Sequence, residues 1–187
     1  REDVQNETTR TTGIAGTRAW GQPEYERSVT LAYGRERREI VSITDLPNPM
    51  DDLVNVTTTF SQTLSANYSV TLRRTDNLLS PSKGYLLNLQ AGAAPTRFLT
   101  TTPFARLYGK YAGYFPLGKD NTLILRVEGG IIGAKERVGI PADFLFRAGG
   151  DQSVRGYGYQ ELGVREGAAV VGGRYLATGS VEAVHWL

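Results

Sequence analysis

Apolar and polar residues alternate with a period of two along most of this 187-residue chain. In the clearest stretch, 122–132, the odd positions hold leucine, valine, isoleucine and one glycine, whereas the even positions include Arg126 and Glu128. Such alternation is typical of a β-strand with one apolar face and one polar face. The pattern predicts seven strands, over 8–20, 27–41, 66–74, 85–93, 104–115, 122–132 and 170–187. Many of them are longer than the roughly 5–6 residues usual in soluble sheets.

The connections between the predicted strands alternate in character. Compact segments rich in Pro, Gly, Asp and Asn, as tight turns are, cover 21–26, 75–84 and 116–121. Between them lie the less compact segments 45–52, 94–103 and 134–168. Consecutive antiparallel strands place alternate connections at opposite ends of a sheet, so one end should carry tight turns and the other the largest loop. A transmembrane β-barrel has this asymmetry, with strands of about ten residues, an apolar outside and a polar lumen.

A soluble β-sandwich or lipocalin-like barrel would also alternate, with its apolar face inward. Two features of side-chain placement favour the membrane barrel. Charged residues on the polar faces suit a watery lumen, and aromatic residues recur at strand ends, at Trp20, Tyr85, Phe115, Tyr175 and Trp186. The apolar faces also mix leucine and valine with glycine and alanine, which would fill a dense core poorly. The pattern therefore favours a membrane barrel and leaves the soluble barrel as the alternative.

Alternation assigns the two faces together, because a register slip of one residue would exchange every member of both sets. We expect the concave side of the sheet to carry Arg106, Lys110, Arg126, Glu128, Arg174 and Glu182. We expect the convex side to carry Leu107, Leu123, Leu125, Val127 and Val181.

Composition excludes several classes of function. The chain has no cysteine and one histidine, which rules out disulfides, thiolate metal sites and cysteine catalysis. A net charge of +2, from 21 basic and 19 acidic residues, is too balanced to indicate a nucleic-acid partner. No run of about 18 apolar residues predicts a transmembrane helix, and the polar start R-E-D-V-Q-N-E predicts no signal peptide. No nucleophile–base pair or metal cluster is recognisable, so we expect no enzyme, catalytic residue, metal or cofactor, and His185 is interpreted as an interfacial side chain.

One arginine stands in a loop dense with glycine and aromatic residues, A-G-G-D-Q-S-V-R-G-Y-G-Y-Q at 148–160. Glycine permits close approach of the backbone, whereas a solvated linker would more often contain Ser, Glu or Lys. The segment is not a phosphate loop, because the Lys-Ser/Thr ending and a following helix are missing. Asp151 and Gln152 are interpreted as turn residues. We expect 134–168 to lie inside the curve of the sheet, shielding 154–157 from solvent; the loop glycines are Gly149, Gly150, Gly156 and Gly158.

Three ordered segments resemble the bacterial outer-membrane assembly and secretion barrels, the superfamily of BamA, TamA and the two-partner secretion transporters. The first, R-R-T-D-N-L-L-S-P-S-K-G-Y-L-L-N-L-Q at 73–90, resembles the strand–periplasmic turn–strand unit of that superfamily. The second matches its V-R-G-F/Y motif, found at the tip of a long extracellular loop folded into the lumen, with Val154, Arg155, Gly156 and Tyr157. The third, G-G-R-Y-L-A-T-G-S-V-E at 172–182, is most similar to the TamA group, the barrel subunits of the translocation and assembly module. The resemblance covers about 66–187 well and 1–65 by strand pattern alone.

The resemblance implies an all-β fold, a transmembrane antiparallel β-barrel with a long extracellular loop, 134–168, inserted into the lumen. Residues 1–187 would be part of one C-terminal barrel domain and supply about seven strands of a larger barrel, expected to have 16. POTRA repeats and the closing strands would lie outside this chain. The sequence agrees, because seven is an odd number for a bacterial barrel and the chain stops in V-H-W-L, in mid-strand. We expect that this part cannot close alone.

The resemblance also implies a partner for Arg155. A guanidinium in a lumen keeps its proton and needs carboxylate or carbonyl partners. Glu182 lies on the polar face of the strand after the loop and matches the acidic residue of the S-x-E strand in the superfamily. We expect an ion pair between the two that latches the loop. Losing Arg155 would cost roughly 3–5 kcal/mol if water is excluded and about 0–1 kcal/mol in a wet lumen, and the folded-in loop favours the dry limit.

By the same resemblance, the chain would belong to a protein of the bacterial outer membrane that helps insert or secrete other outer-membrane proteins, autotransporters in particular. Its partners would be the lipid bilayer, the client proteins and a TamB-like protein that is anchored in the inner membrane and spans the periplasm. A client strand would add to a weakly sealed seam between the first and last strands, beside a thinned bilayer. A two-partner secretion pore or a passive porin-like channel is the alternative.

Overall fold

The computed structural model of the chain describes residues 5–44, 53–118, 120–151, 153–166 and 169–185. The predicted connection 45–52, the turn residue Gln152 and the strand-end Trp186 therefore lie outside the described residues.

These residues form nine β-strands: β1 (Gln5–Gln22), β2 (Tyr25–Thr44), β3 (Leu53–Thr75), β4 (Gly84–Ala94), β5 (Phe104–Pro116), β6 (Asn121–Ala134), β7 (Val164–Glu166), β8 (Ala169–Val171) and β9 (Tyr175–His185). Seven of them build one antiparallel sheet in the order β1-β2-β3-β4-β5-β6-β9, and β7 and β8 form a separate hairpin. Within the described ranges, no helix is long and apolar enough to cross a membrane. The predicted all-β antiparallel architecture with seven strands in its sheet is confirmed.

Two predicted strand boundaries were wrong. β3 begins at Leu53, well before the predicted stretch 66–74, because the threonines at 57–59 interrupt the apolar alternation although they are good strand formers. The predicted strand 170–187 is divided into β8 and β9 at Gly172 and Gly173. The Cα of Gly172 lies so close to the Leu145 side chain that a Cβ would clash there.

The register confirms the two predicted faces. Lys110 lies opposite Glu128, and Glu128 lies opposite Thr178 on β9, so the predicted charged residues of these strands share one face. The predicted leucines and valines lie on the other face, where Leu107 is 59% and Val181 67% exposed. Arg174 comes just before β9 and follows the same parity as the charged set.

The sheet curves around its polar face. The connection that leaves β6 and returns to β9 begins and ends at one end of the strand order, yet its strand β8 contacts β1 at the other end. In a flat sheet these ends would be about 29 Å apart, at about 4.8 Å per strand. A connection that touches both ends therefore lies on the concave side, as expected for a segment of barrel wall.

The apolar core is small and lies under this connection. Three buried residues near the strand ends pack against three buried residues of the connection: Ala94, Phe104 and Ile132 against Ile140, Leu145 and Phe146. The convex-face leucines take no part in it. A soluble barrel would have buried those leucines as a dry core, so the soluble alternative does not describe this fold.

The connection between β4 and β5 covers part of the edge of β3. β4 pairs with β3 only as far as Ala66, which leaves the more distant part of β3 without that neighbour. Thr101 donates its N–H to the carbonyl of Gln62 at 2.9 Å, and its Oγ1 accepts the Gln62 N–H at 3.0 Å. Thr100 Oγ1 accepts the Leu64 N–H at 3.2 Å and donates to the Leu64 carbonyl at 3.4 Å. Two threonines thus replace a neighbouring strand at this point.

Candidate functional site

The β6–β9 connection, residues 135–174, is anchored on the polar face by its first limb, the part that runs from β6 to Ala148. Phe146 pairs with Gly173 as an isolated bridge, and its ring stacks on Tyr108 of β5 with centroids 6.0 Å apart. Gly130 of β6 makes room for that ring, since a Cβ at this position would lie 2.7 Å from Phe146 Cε1. A second bridge joins Ala148 to Leu162, so the two limbs of the connection are held together.

Main-chain groups of the first limb are held by charged side chains from separate strands. Arg106 Nε of β5 donates to the Phe144 carbonyl at 3.1 Å. From the other side, Glu36 Oε2 of β2 accepts the Ala142 N–H at 3.1 Å. Glu36 is 6% exposed, and its Oε1 lies 3.0 Å from Arg38 Nη2. The base of the connection is therefore fixed between β2 and β5 by two charged side chains, of which only Arg106 was predicted from the sequence to lie on the concave face.

Arg174 closes the base of the connection. Its Nη1 donates to the Ala134 carbonyl, at the end of β6, at 2.7 Å. Its own carbonyl accepts the Ile132 N–H at 2.8 Å. The chain therefore enters and leaves the connection at one point, and the segment between has both ends tied to the sheet.

Glycine shapes the tip that carries Arg155. Left-handed φ angles of 117°, 92° and 91°, which favour glycine, occur at Gly149, Gly150 and Gly156. The Gly150 N–H donates to the Tyr157 carbonyl at 3.0 Å, which closes the segment around Arg155. Gly158 does not have a left-handed φ angle; its N–H donates to Glu161 Oε2 at 2.6 Å. Three of the four glycines are thus needed for backbone conformation, and the fourth packs against a carboxylate.

The structure brings Arg155 and Glu182 together. Arg155 Nη2 lies 3.1 Å from Glu182 Oε1, and the two side chains are 64% and 17% exposed. On the strands that the structure describes, the motif is less shielded than expected, since Val154 is half-buried while Arg155, Gly156 and Tyr157 are exposed. The physical reason is the position of β9: among the described residues it pairs with β6 alone, so no further strand covers the tip on that side.

Glu182 has a second basic partner that the sequence reasoning missed. Arg126 Nη1 of β6 contacts the same Oε1 atom, and the Arg126 side chain is 24% exposed. Arg126 lies opposite Ser180, so Glu182 is its diagonal neighbour on the same face. Diagonal neighbours in an antiparallel pair lie within reach of long side chains. The sequence placed both residues on the polar face, but the register of β6 against β9, which reveals this contact, is seen only in the structure. The carboxylate therefore links a wall strand and the loop tip.

A cavity of about 690 Å³ separates the tip from the wall and is lined by residues that include Lys110, Glu128, Asp151 and Tyr157. Tyr108 donates its hydroxyl to Glu128 Oε1 at 2.7 Å, so part of this lining is ordered by the wall itself. Among the residues that the structure describes, no group of three His, Asp or Glu could hold a metal ion. The site is suited to holding a chain segment by ion pairs and hydrogen bonds.

The turn between β3 and β4 lies at the opposite end of the sheet and is organised by one carboxylate. Asp76 Oδ1 accepts the N–H groups of Asn77, Ser82 and Lys83, each at 3.0 Å. The Ser82 hydroxyl donates to Asp76 Oδ2 at 2.5 Å. These bonds, that of the Ser82 hydroxyl first, lower the pKa of Asp76 from 3.8 to about 2. The aspartate of the strand–turn–strand unit thus pre-organises a tight turn. His185, at the same end of the sheet, has its Nδ1 2.9 Å from Asn121 Oδ1.

Comparison with known proteins adds a family and a fold. A family model described as the Omp85 superfamily domain matches residues 1–185. The crystal structure of BamA from Haemophilus ducreyi lacking POTRA domains 1-3 is similar over 97% of this chain, with a TM-score of 0.72 and 16% sequence identity. The present chain spans 40% of that protein. No functionally curated protein matches the sequence significantly.

Proposed function

Since the chain belongs to the Omp85 superfamily, a group of bacterial outer-membrane β-barrels, we propose that it forms part of a barrel that helps insert or secrete other outer-membrane proteins. The finer assignment that we propose is a TamA-like assembly barrel with autotransporters among its clients. A TamB-like periplasm-spanning protein would be its partner. A client strand would add to the barrel at a weakly sealed seam, through backbone hydrogen bonds.

One observation carries the proposal: the β6–β9 connection is tied to the concave face at both its base and its tip. At the base, Glu36 and Arg106 hold main-chain groups, and at the tip Arg155 of the V-R-G-Y motif meets Glu182. A passive channel requires an open lumen, whereas a segment fixed against the polar wall obstructs one. A loop held in this way supports a role in which client strands add to the barrel wall while the loop stays in the lumen.

The test uses the full-length protein in vesicles together with an unfolded autotransporter as client. We expect the client to acquire the heat-modifiable mobility of a folded barrel faster than in protein-free vesicles. Glu182→Gln should reduce this acceleration because it removes the charge that both arginines share. Arg97→Gln is the matched control, since Arg97 is exposed in the β4–β5 connection, remote in sequence from the latch.

Two other outcomes would contradict the proposal. Vesicle swelling in small sugars without client folding would identify a passive channel. Export of a soluble passenger without barrel insertion would identify a two-partner secretion pore.

A further inference from the structure

The convex face of β1 and β2 has an apolar band with two distinct rims. At the tight-turn end, Arg27 stacks on Trp20 and Tyr25, with 5.6 Å and 5.0 Å from its Cζ to the ring centroids. Toward the large-loop end, exposed apolar side chains follow, Leu31 at 58% and Ile14 at 77%. Aromatic residues and exposed aliphatic residues in this order are typical of a lipid-facing wall.

Beyond the apolar band three arginines come together. Arg10 of β1 lies directly opposite Arg37 of β2. Arg35 lies two residues before Arg37 and therefore on the same face. From Arg27 to Arg35 and Arg37 the strand covers about 26–33 Å at about 3.3 Å per residue. With a tilt of about 40°, this corresponds to about 20–25 Å along the membrane normal, the height of an outer-membrane apolar band. The cluster therefore lies at the large-loop rim of the bilayer.

The internal contacts of these arginines leave most of their charge uncompensated. Arg37 pairs with Glu39 and lies over the Phe60 ring, 5.5 Å from its centroid. Arg35 donates from Nε to the Tyr33 hydroxyl at 3.1 Å. Arg10 has no acidic partner among the described residues. Like charges directly opposite on a sheet are destabilising, so this arrangement favours a bound anion.

We propose that Arg10, Arg35 and Arg37 bind the phosphate of a phosphorylated glycolipid headgroup in the outer leaflet. Guanidinium groups bind phosphate in a bidentate manner, and three of them surround an open cavity of about 400 Å³ lined also by Phe60 and Glu36. The Glu36 carboxylate is already bound to Arg38 and to the Ala142 N–H. Ile14, opposite Tyr33, lies on the membrane side of the cluster, where an acyl chain of the same molecule would run. An amphipathic ligand accounts for both halves of the surface, whereas a free phosphate accounts for the arginines alone.

The test titrates lipid A into the full-length protein in neutral detergent and counts bound lipid by native mass spectrometry. The variant replaces all three arginines by glutamine. At about fivefold in affinity per basic residue near an anionic lipid surface, we expect a loss of about 100-fold. Arg74→Gln is the control, since Arg74 is exposed on the same face at the tight-turn end and should leave lipid A affinity unchanged. Heat-modifiable mobility verifies that each barrel is folded, and a triple lysine variant, which keeps the charge, should retain part of the affinity.

The proposal is overturned if the folded triple glutamine variant binds lipid A as the wild type does. It is also overturned if dephosphorylated lipid A binds equally well, because the phosphate would then play no part. Displacement of lipid A by millimolar inorganic phosphate would assign the cluster to free phosphate. Tight capture of an acidic peptide with no lipid A binding would assign it to a protein partner. Neither result agrees with a glycolipid site.

Discussion

Replacing Arg155 by alanine should destabilise the barrel only slightly, although the same residue is expected to hold the loop tip. The Arg155 side chain is 64% exposed on the described strands. Glu182 keeps its contact with Arg126 when Arg155 is gone, so its carboxylate is not left unpaired even where further strands cover the tip. Exposed ion pairs contribute about 0–1 kcal/mol to the free energy of unfolding. The dry limit of roughly 3–5 kcal/mol applies to a carboxylate left buried and unpaired, and that condition is not met here.

Arg126→Ala should have the larger effect on stability. Its side chain is 24% exposed and its partner 17%, so water competes less at this contact than at Arg155. A hydrogen bond between charged groups in such a setting contributes about 1.5–3 kcal/mol. The order of effects should therefore be Arg126→Ala above Arg155→Ala, whereas Glu182→Ala should equal or exceed the former because it removes both contacts.

The assay is a pair of double-mutant cycles on the full-length barrel in micelles, with urea midpoints followed by heat-modifiable mobility. Proteolysis of 135–174 in the folded state reports on the loop separately. Arg155→Ala should speed cleavage of the loop while shifting the urea midpoint little. This result would show that Arg155 holds the loop and does not stabilise the sheet. A coupling energy above about 3 kcal/mol between Arg155 and Glu182 would refute the reasoning from exposure. A mutant loop as resistant to protease as the wild type would refute the latch.

Three further changes test the rest of the site. Gly130→Val should displace the Phe146 ring and lower stability by about 1–3 kcal/mol through overpacking, with faster cleavage of the connection; an unchanged cleavage rate would exclude this packing role. Glu36→Ala leaves the Ala142 N–H without its acceptor and should lower the urea midpoint by the equivalent of about 1–3 kcal/mol; an unchanged midpoint would mean that the base is held by other contacts. Because the folded pKa of Asp76 is about 2, below its ordinary 3.8, its stabilisation of the turn is present above about pH 4 and is lost as pH falls through about 2. The protection of the turn amides, taken as their exchange rate relative to the intrinsic rate at each pH, should fall across that window, and Asp76→Asn should remove this change in protection.

Local alternation was enough to predict the strands and their faces, because each strand exposes one side to lipid and the other to the lumen. It failed for the first part of β3, where 53–65 extends beyond the apolar band and no longer needs a purely apolar face. The threonines there, and the valines before them, were a usable signal, since β-branched residues favour strands even when both faces are polar.

Some residues that hold the connection could be identified from the sequence, and others could not. Arg155 and Glu182 could be proposed from sequence because a motif and a parity argument identified them. Arg126 could not be paired, since its contact depends on which residue of β9 lies diagonally across from it. Glu36 was missed altogether because its partner, the Ala142 N–H, is distant in the chain and approaches only when the sheet curves. Register and curvature are global properties, and period-two reasoning does not contain them.

Thr100 and Thr101 cover the edge of β3 at Gln62 and Leu64 with their own backbone and hydroxyl groups, and Thr100 is 1% exposed. Under the proposed mechanism, clients enter by hydrogen bonding to an unpaired strand, so any other bare strand edge would attract the same clients. An assembly barrel with a competing edge would trap substrates away from its seam. The two threonines remove one such trap at Gln62 and Leu64, and the fidelity of client entry would then depend in part on a pair of hydroxyl groups in a loop.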